Sequence, residues 1–148
     1  DMMTGLGNRA AFQRDSAADA SFGGALAYVM IDANNLKVIN DSMGHHRGDE
    51  LLLQIAACLK RALGQKMSGY RLGGDEFAVR LKDVSQLETE AFAEALRREI
   101  AAADAQNELT ISAAIGYAWT DCNPKDPEVL LHQADNAMYE IKKQMKKQ

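Results

Sequence analysis

Cysteine is scarce in this chain, and the two residues present, Cys58 and Cys122, stand far apart. Thiols so placed build no disulfide framework, and without close pairing they form no zinc site. They read as small buried or idle thiols of a reducing compartment. Long apolar runs are also missing. The longest, Ala25 to Ile31, falls far short of the ~20 residues that cross a bilayer, and no signal peptide is recognisable at the start. Nor is there an excess of positive charge. With 17 Lys+Arg against 21 Asp+Glu the formal net charge is −4, the wrong sign for a general nucleic-acid surface. Any phosphate ligand must then be met by local lysines or by metal. Internal repeats and low-complexity segments are absent too. What remains, 148 residues at 47% hydrophobic, suffices for one ordinary core and not for two. The expectation is a single domain over residues 1–148, cytoplasmic, with no nucleic-acid partner and no membrane contact from this segment.

Local patterns divide the chain readily. Asn8 is placed to cap a helix running to about Ala18. Ala25 to Ile31 has the length of a strand and the continuous apolarity of one buried on both faces. It ends on Asp32. Ala33 to Asp41 reads as a short helical or turn-rich segment. Gly44 to Asp49 leads into a helix to about Leu63, in which Leu51, Leu52, Ile55, Ala56, Leu59, Ala62 and Leu63 follow a 3.6-residue period. Asp49 is expected in its first turn, where it would complement the helix dipole. Ser85 to Glu88 forms a capping box for a helix to about Ala103, Leu109 to Trp119 reads as a strand, and Asp126-Pro127 opens the last helix. The order of helix, strand, helix, paired strands, helix, strand and helix points to an α+β sandwich, with helices packed over a largely antiparallel sheet.

Arg71 to Val79 predicts a hairpin. Tyr70 and Leu72 on one side and Phe77, Val79 and Leu81 on the other alternate with polar or small residues, and Gly73-Gly74 is expected to supply the positive φ angles of a tight two-residue turn. Asp75 and Glu76 lie at the bend. As neighbours on a strand they point to opposite faces, so one of them is expected to share a site with a carboxylate from another element, unless the turn twists both together. Alone, such a turn is an ordinary solvated acidic feature. Asp32 is different, because a carboxylate at the end of a buried strand is costly unless a metal or a basic group meets it. His45-His46 carries no metal expectation: adjacent histidines diverge on a helix, and no Cys or acidic partner is spaced to complete a set.

Four segments carry a resemblance. Gly73 to Phe77 spells GGDEF. Asp1 to Arg9 is similar to D-x-L-T-G-L-x-N-R, Ile31 to Asp49 to D-x-D-x-F-K-x-I-N-D-x-x-G-H-x-x-G-D, and Ala134 to Lys142 to A-D-x-A-L-Y-x-A-K. In this order and at these spacings they make the chain, nearly end to end, resemble the GGDEF family of diguanylate cyclases. The resemblance implies the palm-like sheet shared by nucleotide cyclases and many polymerases, with the GGDEF hairpin central. It implies condensation of two GTP into cyclic di-GMP and two pyrophosphates, by metal-assisted attack of each ribose 3′-hydroxyl on the other α-phosphate. Each subunit of a homodimer would hold half of the site.

Residue roles follow from the same resemblance. Asp32, Asp75 and the backbone carbonyl of Ala33 fall on metal-binding positions for Mg²⁺, with Mn²⁺ as the alternative ion and Glu76 as a possible third carboxylate. Asp75, with Glu76 beside it, is implicated in activating the 3′-hydroxyl. Asn40 and Asp49 fall on guanine-reading positions. A carboxylate can accept from both guanine N1–H and the exocyclic amine, whereas adenine would leave one of its oxygens unpaired, a loss of about 1–3 kcal/mol. The triphosphate would meet backbone N–H groups of the Asn34-Asn35-Leu36 turn, together with Lys37, Lys142 and Lys146, the last two four residues apart and so on one helix face.

The chain departs from the family pattern at several points. Asn34 stands in place of a second Asp, Leu36 in place of Phe, Met145 in place of Gly, and Lys146 in place of Arg, which keeps charge but loses bidentate geometry. An R-x-x-D product-binding site is missing, since Gly64 and Met67 occupy its positions. The chain opens almost on its first motif, as a domain cut from a longer signalling protein would. An upstream sensory domain, in a parent that could be membrane-anchored, is the expected regulator. A second reading is a signalling module that binds GTP or cyclic dinucleotide without turnover; its usual mark is a degraded hairpin, and this hairpin is intact.

Overall fold

Strand β1 (Leu26–Ala33) organises the molecule, and its first six residues are all buried. In the computed structural model, which describes residues 1–147, the order is α1 (Arg9–Ala18), a 3-10 turn (Asp19–Ser21), β1, α2 (Leu36–Met43), α3 (His45–Ala62), β2 (Met67–Gly73), β3 (Glu76–Lys82), α4 (Gln86–Gln106), β4 (Ala113–Thr120) and α5 (Pro127–Lys146). The sheet order is β2-β3-β1-β4, every neighbouring pair antiparallel. This is the α+β class with helices flanking an antiparallel sheet. Within it β1 and β3 are inner strands and β2 is at an edge, so only half of the hairpin is central.

The two-residue period of β1 separates two cores. Ala27, Val29 and Ile31 join Phe77, Val79 and Leu81 beneath α3 and α4. Leu26, Tyr28 and Met30 join Tyr70, Leu72 and Ala78 beneath α1 and α5, with Phe12, Leu130, Ala134 and Met138. Gly116 on β4 lets α5 come close: a Cβ there would lie 2.0 Å from the Met138 nitrogen. A buried ion network fastens the end of α1 to the sheet. The Arg80 guanidinium pairs with the Asp19 carboxylate, Tyr28 donates to Asp19 Oδ2 at 2.7 Å, and Tyr70 donates to Asp15 Oδ2 at 2.7 Å.

Helix caps follow local chemistry. Asn8 Oδ1 accepts from Ala11 N at 2.8 Å, and Ser85 with Glu88 forms the reciprocal capping box. Three expectations need correction. Helix α3 begins at His45, so Asp49 lies beyond the first turn and receives little from the dipole. Strand β4 begins at Ala113 rather than Leu109, because its partner β1 turns away into α2 at the left-handed Asn35; Leu109 and Ile111 are buried instead in a connecting arm, with Ile111 N donating to Asp104 Oδ1 at 2.9 Å. Gly73 and Gly74 do not take positive φ; among the described residues only Gly5, Gly44, Asn35 and Asp83 do. The ladder shifts register between Arg71 and Gly73, and such an irregularity supplies the twist that a left-handed turn residue would otherwise provide.

Candidate active site

Asp32 lies one residue before the end of β1, opposite Glu76 on β3 and Ala114 on β4. The period of two places it on the α1/α5 side of the sheet, in series with Leu26, Tyr28 and Met30. Ala33 N donates to the main-chain oxygen of Asp75 at 2.8 Å, which ties the hairpin turn to the end of β1 and holds two carboxylates from distant parts of the chain side by side. Lys142, near the end of α5, completes the cluster: its Nζ donates to Asp32 Oδ2 at 2.5 Å, with both side chains under one-fifth exposed (19% and 14%). Asp32 Oδ1 is buried and has no hydrogen-bond partner.

Burial pushes the Asp32 carboxyl up from its ordinary 3.8 to about 6; the bond from Lys142 pulls it down, and the neighbouring Asp75 charge adds to the rise. Asp32 and Asp75 are hard oxygen donors, and the orphaned oxygen is one that a cation would satisfy. Mg²⁺ commonly takes one or two carboxylates and keeps several waters, so this pair fits such an ion. Among the described residues no three His, Cys, Asp or Glu side chains converge into a closed cage. Glu76 turns toward α1 instead, 3.7 Å from Arg9, whose Nε also donates to Leu72 O at 2.9 Å.

The other expected residues are distributed over α2, α3 and α5 and the turns that join them. Asn35 adopts the left-handed conformation (φ 69) and starts α2 without a side-chain cap, leaving the helix's leading N–H groups uncapped beside β1. The Asn34 N–H is already used, donating to Ser112 O at 2.8 Å, so of the three N–H groups expected to meet phosphate those of Asn35 and Leu36 remain. Asn40 lies over Gly48, its Oδ1 1.8 Å from where a Cβ on residue 48 would stand; only glycine permits that contact, which brings Asn40 against the residue preceding Asp49. Asp49 itself is exposed. Lys37 is exposed and pairs with Asp41 at 3.2 Å, and Lys146 is exposed in the last turn of α5. Gly64 and Met67 meet each other, Gly64 N donating to the Met67 sulfur at 3.2 Å.

Several participants were not foreseen from sequence. Arg9 meets Glu76, Gly48 meets Asn40 and Ser112 meets Asn34, and Arg9 and Gly48 fall inside motifs whose letters alone assigned them no role. Asn34 and Met145, two departures from the family pattern, touch: Asn34 Nδ2 donates to Ser112 Oγ at 2.9 Å and to Met145 Sδ at 3.4 Å. A cavity of about 870 Å³ lies elsewhere, between α1 and the start of α5, and shares only Arg9 and Leu72 with the hairpin region. The carboxylate cluster is the stronger candidate because its desolvated, unpaired oxygen has a chemical demand that the groove lacks.

Comparison with known proteins identifies the family and the fold. The model of the family described as diguanylate cyclase, GGDEF domain, matches residues 1–148, and the chain belongs to this family. It is 39% identical to the diguanylate cyclase DgcN of Escherichia coli strain K12 over 153 aligned residues, covering 97% of this chain and 37% of that protein. The GGDEF domain of TpbB from Pseudomonas aeruginosa superimposes with a TM-score of 0.85 at 36% identity, covering 97% of this chain and 88% of that one. The coiled coil and GGDEF domain of DgcB from Caulobacter crescentus, solved in complex with c-di-GMP, shares the fold with a TM-score of 0.87 at 24% identity, covering 97% and 80%. The chain thus spans about a third of the length of its curated relative DgcN. No helix of the described residues is long and apolar enough to cross a membrane.

Proposed function

We propose that this domain is a catalytically competent diguanylate cyclase, condensing two GTP into cyclic di-GMP and two pyrophosphates. The observation that carries this reading is the pair Asp32 and Asp75, brought together by the Ala33–Asp75 main-chain bond, with a buried Asp32 oxygen left unpartnered. Asp32, Asp75 and the Ala33 carbonyl would hold Mg²⁺, or Mn²⁺ in its place, which when bound supplies charge neutralisation at the phosphates and acidifies the attacking hydroxyl. The chain's own groups do the rest. Asn40, braced on Gly48, and Asp49 read the guanine edge; Asp49 is exposed before the base arrives and loses water only beneath it. Asn35 and Leu36 offer N–H groups to the triphosphate, Lys142, Lys146 and Lys37 add charge, and Asp75, with Glu76 next to it, serves activation of the 3′-hydroxyl.

One chain presents one such set, so turnover requires a second copy facing it. An upstream sensory domain in a longer protein would then control activity by bringing two copies together, raising their effective concentration to about millimolar. Incubation with GTP and Mg²⁺ followed by chromatography of the products tests the reading, and cyclic di-GMP is the expected product. GTP binding without product at high protein concentration would instead establish a nucleotide-binding module.

A further inference from the structure

Lys142 makes the shortest contact in the site, and it makes it with the carboxylate that a divalent ion needs. Its position is tightly determined. One turn earlier on α5, Met138 lies against Gly116, where even a methyl group would meet the helix backbone at 2.0 Å. Three residues later, Met145 is held by Asn34. Between these two anchors the Lys142 ammonium is directed at Asp32 Oδ2, at 2.5 Å, in a place where both side chains are largely removed from water. One oxygen of Asp32 is thereby satisfied and the other is left without a partner.

We propose that Lys142 is a tethered cation that occupies the metal-free site and competes with the divalent ion for Asp32. This rests on the reading of Asp32 and Asp75 as the metal pair. Two cations on one desolvated carboxylate repel strongly, so an ion entering at the free Oδ1 is opposed by the ammonium on Oδ2 and favours its release. The displaced side chain remains on α5 beside the site, where the anionic triphosphate of an incoming nucleotide can receive it. An ion arriving alone meets the opposing ammonium with nothing to take its charge, whereas an ion arriving with a triphosphate finds the exchange balanced. Lys142 therefore disfavours idle metal binding and couples ion entry to nucleotide entry, a role additional to phosphate contact.

The test is Mn²⁺ binding to the nucleotide-free protein at pH 8, read from the electron paramagnetic resonance signal of the free ion. Lys142→Gln should bind Mn²⁺ about tenfold or more tightly than the native chain, because the competing charge is gone. Lys142→Arg, which keeps the charge, should stay near native affinity, and Asp32→Asn should abolish the tight binding in either background. Lys142→Met provides a second neutral variant, and thermal melts establish that each variant is folded. Equal or weaker binding by both neutral variants, with Asp32-dependent binding in the native chain, would overturn the proposal while leaving the metal pair standing. Absence of Asp32-dependent binding in every variant would overturn both.

Discussion

Replacing Asp32 by asparagine should make the metal-free protein more stable near neutral pH, although it removes half of an ion pair. In the folded chain burial raises the Asp32 carboxyl from its ordinary 3.8 to about 6, more than Lys142 lowers it. The unfolded chain releases that proton near the ordinary value, so between these two pH values the native state binds more protons than the unfolded state. Stability therefore falls as pH rises through this window, and the loss is complete above the folded value. A rise of this size corresponds to about 3 kcal/mol, and with the side chain 14% exposed some solvent screening brings it to about 2–3 kcal/mol. Asparagine resembles the protonated carboxyl and still accepts from Lys142. The variant and the native chain should be of similar stability at pH 4, and at pH 7.5 the variant should lead by about 2–3 kcal/mol, roughly 10 °C in Tm for a domain of this size. Urea denaturation of both proteins from pH 4 to 8, without divalent ions, measures the difference directly. Taking the difference cancels other groups, such as Asp15, which the Tyr70 hydroxyl holds below its ordinary value and which acts in the opposite sense. A variant less stable than the native chain at pH 7.5, or a difference that does not change with pH, would refute the argument.

Added Mg²⁺ at pH 7.5 should stabilise the native chain and not Asp32→Asn, in proportion to the logarithm of ion concentration above its dissociation constant; parallel thermal melts read this, and equal shifts in both would count against the site. Asp49→Ser should loosen the choice of GTP over ATP, since a hydroxyl can donate as well as accept, and unchanged competition between the two nucleotides would remove Asp49 from base reading. Asp19→Ala should cost about 3–5 kcal/mol in urea denaturation because it strands the buried Arg80 guanidinium; a loss under 1 kcal/mol would mean that the network relaxes or hydrates. Specific activity should rise with enzyme concentration, and cyclic di-GMP should inhibit only in competition with GTP, because Gly64 and Met67 bond each other and present no Arg or Asp. Inhibition that saturating GTP fails to relieve would point to a separate product site.

Local chemistry wrote much of this molecule into its sequence. The Asn8 cap, the Ser85 capping box and the doubly buried β1 depend on residues within a few positions of one another, and such patterns are readable before any fold exists. The motif letters likewise marked Asp32, Asp75, Asn40 and Asp49, and the cost of burying a strand-end carboxylate already demanded a cation near Asp32. Which cation answers that demand was a matter of packing: Lys142 lies 110 residues away, and it reaches Asp32 because Gly116 lets α5 settle against β4. The same holds for Arg9 meeting Glu76, for Asn40 resting on Gly48, and for the contact between Asn34 and Met145. Periodicity states which side of a strand is buried, but it does not state which helix covers that side or how closely. Those distances are settled only when the two cores close around the sheet, and they bring the Lys142 ammonium to Asp32.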